Sequence, residues 1–156
     1  HVKRHSFPTR RSSDLVSFGR MRTSLLFGLD DVSGAEFVRE VTRRYLSRMH
    51  RDNVDVGCPL PSLAAEVGRL GDGPRDEITH YLHEITTMLE QKAPTSTAGI
   101  APRDLALGLV AMSVGGLLLS RAVRDEALSD AILTACRRLA ASTVHTAPPS
   151  PRTETT

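Results

Sequence analysis

Between Phe37 and Met49 the apolar residues Phe37, Val38, Val41, Tyr45 and Met49 recur every three or four positions. That period predicts one amphipathic helix from Ser33 to about His50. Ser33 and Glu36 have the spacing of a capping box, in which the hydroxyl and the carboxylate each satisfy an end-of-helix amide. Upstream, Leu25, Leu26 and Leu29 give a shorter helical stripe within residues 17–30. Arg51 to Gly57 reads as a polar turn. Pro59 and Pro61 then suit a helix start, carrying Leu63, Ala64, Val67 and Leu70 and stopping at Gly71-Asp72-Gly73. Pro74 is expected to open the next helix, with Asp76 and Glu77 in the first turn, where the helix dipole favours them. Its stripe is Ile78, Tyr81, Leu82, Ile85, Met88 and Leu89, and residues 93–101 form a loop.

Pro102 begins a helix to about Val123 in which Leu105 to Ser120 carries no charge. This stretch is too short and glycine-rich for a membrane span, and its apolar residues lie on every side. It therefore reads as a helix buried all round that needs neighbours on both faces. Gly115 and Gly116 each cost about 1 kcal/mol of helix propensity, which close approach of another helix would offset. Ala111 and Gly115 put two small residues on one face. Residues 126–142 form the last helix, with Leu128, Ile132, Leu133, Cys136 and Leu139 on one side. The expectation is an all-α fold, a five- to six-helix bundle without strands.

Composition changes this picture at one end only. A chain of 156 residues, 40% hydrophobic and 24% charged, suits a single domain with a real core. The net charge of +2 points toward an acidic partner such as nucleic acid. However, residues 1–15 hold Lys3, Arg4, Arg10 and Arg11 against Asp14 alone. Without them 16 basic and 17 acidic residues remain, a net of −1. His5 to Leu15, HSFPTRRSSDL, resembles one translated frame of a common short-read sequencing adapter; the alternative is a natural basic arm. Residues 1–15 are accordingly expected to be non-native, 16–143 to be the domain, and the proline- and threonine-rich 144–156 to be a disordered tail.

Candidate chemistry is sparse. Cys58 and Cys136 form no Cys-x-x-Cys pair, and with no signal peptide they suit a cytoplasmic, reduced protein. Cys58 before a helix start invites a nucleophile reading; its alternative is a small residue lining the core. Glu77, His80, His83 and Glu84 invite a metal reading, but the two histidines point away from the apolar stripe, and no metal site is expected. His50, placed after the last turn of its helix, is read as a cation complementing the dipole. No catalytic residue and no cofactor are expected.

At Gly57-Cys-Pro-Leu-Pro-Ser-Leu-Ala-Ala-Glu66 the sequence resembles the C-terminal domain of TetR-family transcriptional regulators. Leu105 to Val123, ending LLLSRAV, resembles that family's penultimate helix, and Arg124 to Leu133 resembles the start of its last helix. The resemblance covers residues 33–142. It implies a non-enzymatic, cytoplasmic, repressor-type regulator that binds a small, mostly apolar effector and forms a homodimer through its last two helices. It binds operator DNA only through an N-terminal helix-turn-helix, which residues 16–32 cannot hold; that domain is expected to be missing and the chain itself not to bind DNA. The implied pocket residues are Phe37, Val41, Tyr45, Leu63, Val67, Tyr81, Ile85, Met88, Leu109 and Met112, with the two tyrosine hydroxyls as polar anchors; the alternative is that all are ordinary core. The implied dimer interface is Val110, Val114, Leu117 and Leu118 with Leu128, Ile132 and Leu139. The competing readings are a small all-α enzyme using Cys58 as nucleophile with one of the histidines, and a helical dimer without a ligand.

Overall fold

The structure is a computed structural model describing residue 19 and residues 22–54, 57–67, 69, 72–93 and 99–144. The readings of residues 1–15 and of 145–156 lie outside the described residues. Six helices order the described chain: α1 (Gly34–Tyr45), α2 (Arg48–Asp52), α3 (Leu60–Val67), α4 (Asp72–Lys92), α5 (Pro102–Ala122) and α6 (Glu126–Thr143). Residues 22–26 are helical as well, and no strand occurs among the described residues.

Helix α1 buries Ala35, Phe37, Val38, Thr42 and Tyr45 along the expected face. The buried Thr42 hydroxyl donates to the Val38 carbonyl at 2.7 Å, so it enters the core satisfied. The capping box does not form. Ser33 is extended and its side chain makes no cap hydrogen bond. Gly34 beside it has φ 68°, a left-handed value that only glycine adopts cheaply.

The helix expected to reach His50 breaks at Leu46 (φ −91°, ψ 46°). Leu46 is wholly buried, and its carbonyl accepts a hydrogen bond from Arg137 of α6. Ser47 restarts the chain as α2 by accepting the His50 amide at 3.1 Å. Met49, assigned to the α1 stripe by its spacing, is 77% exposed once the axis has turned. Residues 51 and 52, expected in a turn, close α2 instead. Arg121 at the end of α5 donates to the His50 carbonyl at 2.7 Å and the Arg51 carbonyl at 3.0 Å, capping this short helix from outside. Arg51 and Arg48 reach Asp130 of α6.

Helix α4 starts at Asp72, two residues before the expected Pro74. Proline is accommodated there because first-turn amides have no intrahelical acceptor. Pro102 does open α5, and Asp125 caps α6 by accepting the Leu128 amide at 3.1 Å. Val144, assigned to the tail, is 1% exposed and packs with Val38, Leu105, Leu109 and Ala140, so the folded body reaches it.

Helix α5 is the centre of the bundle and touches each of the other five helices. By length and composition alone it could cross a membrane, which the shorter uncharged run did not suggest. It is not buried all round. Leu105, Leu109, Ser113, Gly116, Leu117 and Ser120 are buried, whereas Leu107, Gly108, Ala111, Leu118 and Leu119 are exposed. The close approach anticipated at the two glycines falls on Gly116 alone. A Cβ there would lie 2.7 Å from Cys136 Sγ and 3.3 Å from Leu46 Cδ2, while one at Gly115 would meet nothing within 4 Å. Gly116→Val is expected to destabilise the fold by about 2 kcal/mol in chemical denaturation, the cost of overfilling a packed site. In a Cys136→Ala background at least half of that penalty should vanish; an equal penalty in both backgrounds would show that Gly116 makes no room for Cys136.

Candidate functional site

Elements α1, α4 and α5, the 57–60 segment and the N-terminal residues 22–26 do not meet at one point, and a cavity of about 70 Å³ remains between them. Val38, Val41, Thr42 and Tyr45 line it from α1; Tyr81, Ile85, Met88 and Leu89 from α4; Leu109, Val110, Ser113 and Val114 from α5. Cys58 and Leu60 close one side, and Arg22, Leu25 and Leu26 the other. The walls are almost wholly apolar, the composition of a small-molecule site.

The 57–60 segment owes its shape to His50. The Cys58 amide donates to His50 Nε2 at 2.8 Å, and His50 Nδ1 lies 2.7 Å from the Tyr45 carbonyl. A ring nitrogen that accepts from an amide carries no proton, so Nδ1 is the donor and the imidazole is neutral. Burial pushes the His50 pKa down, in the same sense. This corrects the reading of His50 as a dipole-complementing cation. It is instead the rivet between the end of α1 and the Cys58 strand of chain. Gly57 permits the contact: a Cβ would stand 2.9 Å from His50 Cδ2 and 3.0 Å from the Asn53 carbonyl oxygen.

Inside the cavity, Tyr45 is 7% exposed and its hydroxyl has no hydrogen-bond partner. Burial raises its pKa well above the usual value, and the nearby Cys58 thiol adds to this. The Tyr81 hydroxyl is likewise pushed up, chiefly by burial. The Cys58 thiol is 1% exposed and burial pushes it up as well. A nucleophilic thiol needs the opposite shift, and Cys58 packs here as part of the wall and core. Cys136, pressed against Gly116, is raised by burial too.

Six of the ten pocket residues named from sequence come together here: Val41, Tyr45, Tyr81, Ile85, Met88 and Leu109. The other four do not. Phe37 packs with Leu29, Leu89 and Ala106, Leu63 against the Tyr45–Leu117 cluster, Met112 against the Leu105–Val144 cluster, and buried Val67 stands away from the lining. The stripe of Leu25 and Leu26 is helical as its spacing predicts, but the sequence did not place it at the cavity wall. Arg44 holds the carbonyls of Leu25 and Phe27 at 3.0 and 2.7 Å, and Lys92 Nζ holds those of Leu29, Asp30 and Val32 at 2.9, 2.6 and 3.4 Å. Lys92 also lies 5.2 Å above the Phe37 ring. Arg44 is steadied by Glu40 at 2.7 Å, whose carboxyl the hydrogen bonds from Arg43 and Arg44 pull down to about 2.

The residues named for the interface divide into two groups. Val110 and Val114 are half-buried and line the cavity, and Leu117 is wholly buried with Tyr45, Leu46 and Leu133. Ile132 is half-buried, while Leu118, Leu128 and Leu139 are 43%, 49% and 58% exposed. With Leu107, Ala111, Leu119, Ala131 and Ala135 they form one apolar seam along the outer faces of α5 and α6. Such a seam is a candidate interaction surface. His80 pairs with Glu84 at 3.6 Å on an exposed face, and among the described residues no three potential ligands converge on a metal position.

The family described as tetracyclin repressor-like, C-terminal domain, matches residues 34–136. No curated protein matches the chain.

Proposed function

Because the chain belongs to the tetracyclin repressor-like C-terminal domain family, a family of regulatory ligand-binding and dimerisation domains, we propose that its cavity binds a small, mostly apolar effector. A second copy of the chain covers the seam of α5 and α6. The parent regulator is of the repressor type and cytoplasmic, and binds operator DNA through an N-terminal helix-turn-helix; the chain performs no catalysis. One observation carries the effector reading: an apolar cavity centred in the bundle, with a buried, unpartnered hydroxyl at its wall. A protein that merely packed a core would lose little by filling that space.

The arrangement also supports control. The wall formed by residues 22–26 belongs to the N-terminal part of the described chain, which Arg44 holds through the carbonyls of Leu25 and Phe27 and Lys92 through those of Leu29, Asp30 and Val32. An occupant pressing on Leu25 and Leu26 biases the position of that segment, and whatever favours one position favours or disfavours the occupant by the same free energy. The test is thermal unfolding against a set of small apolar molecules. At least one should raise the midpoint with a concentration dependence set by its affinity. Val114→Phe, which fills the cavity, should abolish the rise. A set in which no compound moves the midpoint would overturn the reading.

A further inference from the structure

The electrostatics of the cavity define what it selects. We propose that it takes an uncharged compact molecule bearing one hydrogen-bond acceptor, such as a carbonyl or ether oxygen, which receives the Tyr45 hydroxyl proton while the apolar remainder of the molecule fills the walls. This rests on the effector reading above and narrows it to a ligand class and a selecting residue.

Three observations converge. First, the Tyr45 hydroxyl is buried at the lining with no oxygen or nitrogen partner, and only the weakly accepting Cys58 sulfur lies near it. A phenol is a better donor than acceptor, and an unmet buried donor is costly, so the site gains most from an oxygen that accepts. Second, the other hydroxyl contributed by α1 is already committed: Thr42 donates to the Val38 carbonyl at 2.7 Å. Cys58 offers only a weak thiol donor, kept protonated by burial. Third, the lining itself offers almost no charge to meet a charged ligand, and Arg121, which acts on Tyr45 and Cys58 from behind the lining, is turned to the His50 and Arg51 carbonyls. Arg22 is the one ionised residue of the lining; it is half-exposed at the rim and faces Glu84 at 3.7 Å. A carboxylate or an ammonium would leave water without a counter-ion inside.

Size narrows the class further. The cavity of about 70 Å³ is roughly half of the ~150 Å³ that admits benzene in an apolar protein interior. Met88 on the wall is unbranched and yields easily, which sets the upper bound near benzene's bulk.

The experiment uses the full chain and three probes: cyclopentanone, its acceptor-free counterpart methylenecyclopentane, and butyrate as an anion. Each is titrated into the wild type and into Tyr45→Phe, with binding read from amide chemical shifts. Tyr45→Phe should weaken cyclopentanone about three- to tenfold, the worth of one net hydrogen bond. It should leave methylenecyclopentane unchanged or slightly tighter, and butyrate should bind neither protein. Unliganded Tyr45→Phe should be at least as stable as the wild type, because no native hydrogen bond is lost. Equal loss for both neutral probes, no loss for cyclopentanone, binding of butyrate, or destabilisation of the free variant would each overturn the selectivity while leaving a ligand site in place. Failure of both neutral probes to bind the wild type would overturn the effector reading together with it.

Discussion

Leu118→Glu combined with Leu139→Glu is expected to turn a dimer into a folded monomer, with association weakened at least about a thousandfold. Both leucines are exposed in the single chain, at 43% and 58%, so the charges cost the isolated subunit little. In a two-fold pair each substitution appears twice, and every carboxylate buried without a partner costs several kcal/mol. Sedimentation velocity at micromolar concentration, with circular dichroism to show that helix content is kept, reads the result. A wild type that sediments as a monomer would refute the second-copy assignment. A double variant that stays dimeric would move the interface to another face. Val110→Glu is the contrasting substitution: it places the charge at the cavity wall and should destabilise the subunit itself.

Gly57→Val should cost roughly 4 kcal/mol of folding stability, lowering the unfolding midpoint by about 10–20 °C. The added side chain collides with the His50 ring and with the Asn53 carbonyl. Relieving the clash means displacing His50, which strands the Cys58 amide and the Tyr45 carbonyl that it joins. Each buried polar group left unmet costs about 1–3 kcal/mol. His50→Ala alone should therefore account for about half of the loss, and the double variant should fall well short of the sum. Strict additivity in differential scanning calorimetry would show that Gly57 and His50 act separately.

The pattern of apolar spacing conveyed most of the architecture because it reports which face of each helix leaves water. Pro102 marked a true helix start, the last helix was legible as residues 126–142, and the face of α1 from Phe37 to Tyr45. The break at Leu46 was hidden because Met49 continues the same period along the chain, although Ser47 was available as a capping signal. Rivets such as Arg121 to α2 and Arg137 to Leu46 join polar groups far apart in sequence, the His50 to Cys58 contact spans a turn, and side-chain periodicity carries no trace of any of them.

The candidate site was half legible for a related reason. On a helix apolar all round, hydrophobicity cannot separate the face toward a cavity from the face toward a neighbour. Val110, Val114 and Leu117 were therefore placed outside when they point in. The discriminating signal was size. Gly108, Ala111 and Gly115 run along the same side as Leu118, and the interior side carries the larger residues together with Gly116. The wall from residues 22–26 had no such signal, because the cations that hold it bind backbone carbonyls, which every sequence possesses.

That mode of holding has a chemical consequence. The chain contains two lysines, Lys3 and Lys92, so Lys92 is the one lysine among the described residues. Acylating its amine removes the charge and leaves at most one N–H to serve the three carbonyls of residues 29, 30 and 32. The modified amine and the seated segment are thus mutually exclusive. An amine-directed reagent then acts as a stopwatch at this position: the rate at which Lys92 is consumed counts how often residues 29–32, the segment that follows the cavity's N-terminal wall, lift away.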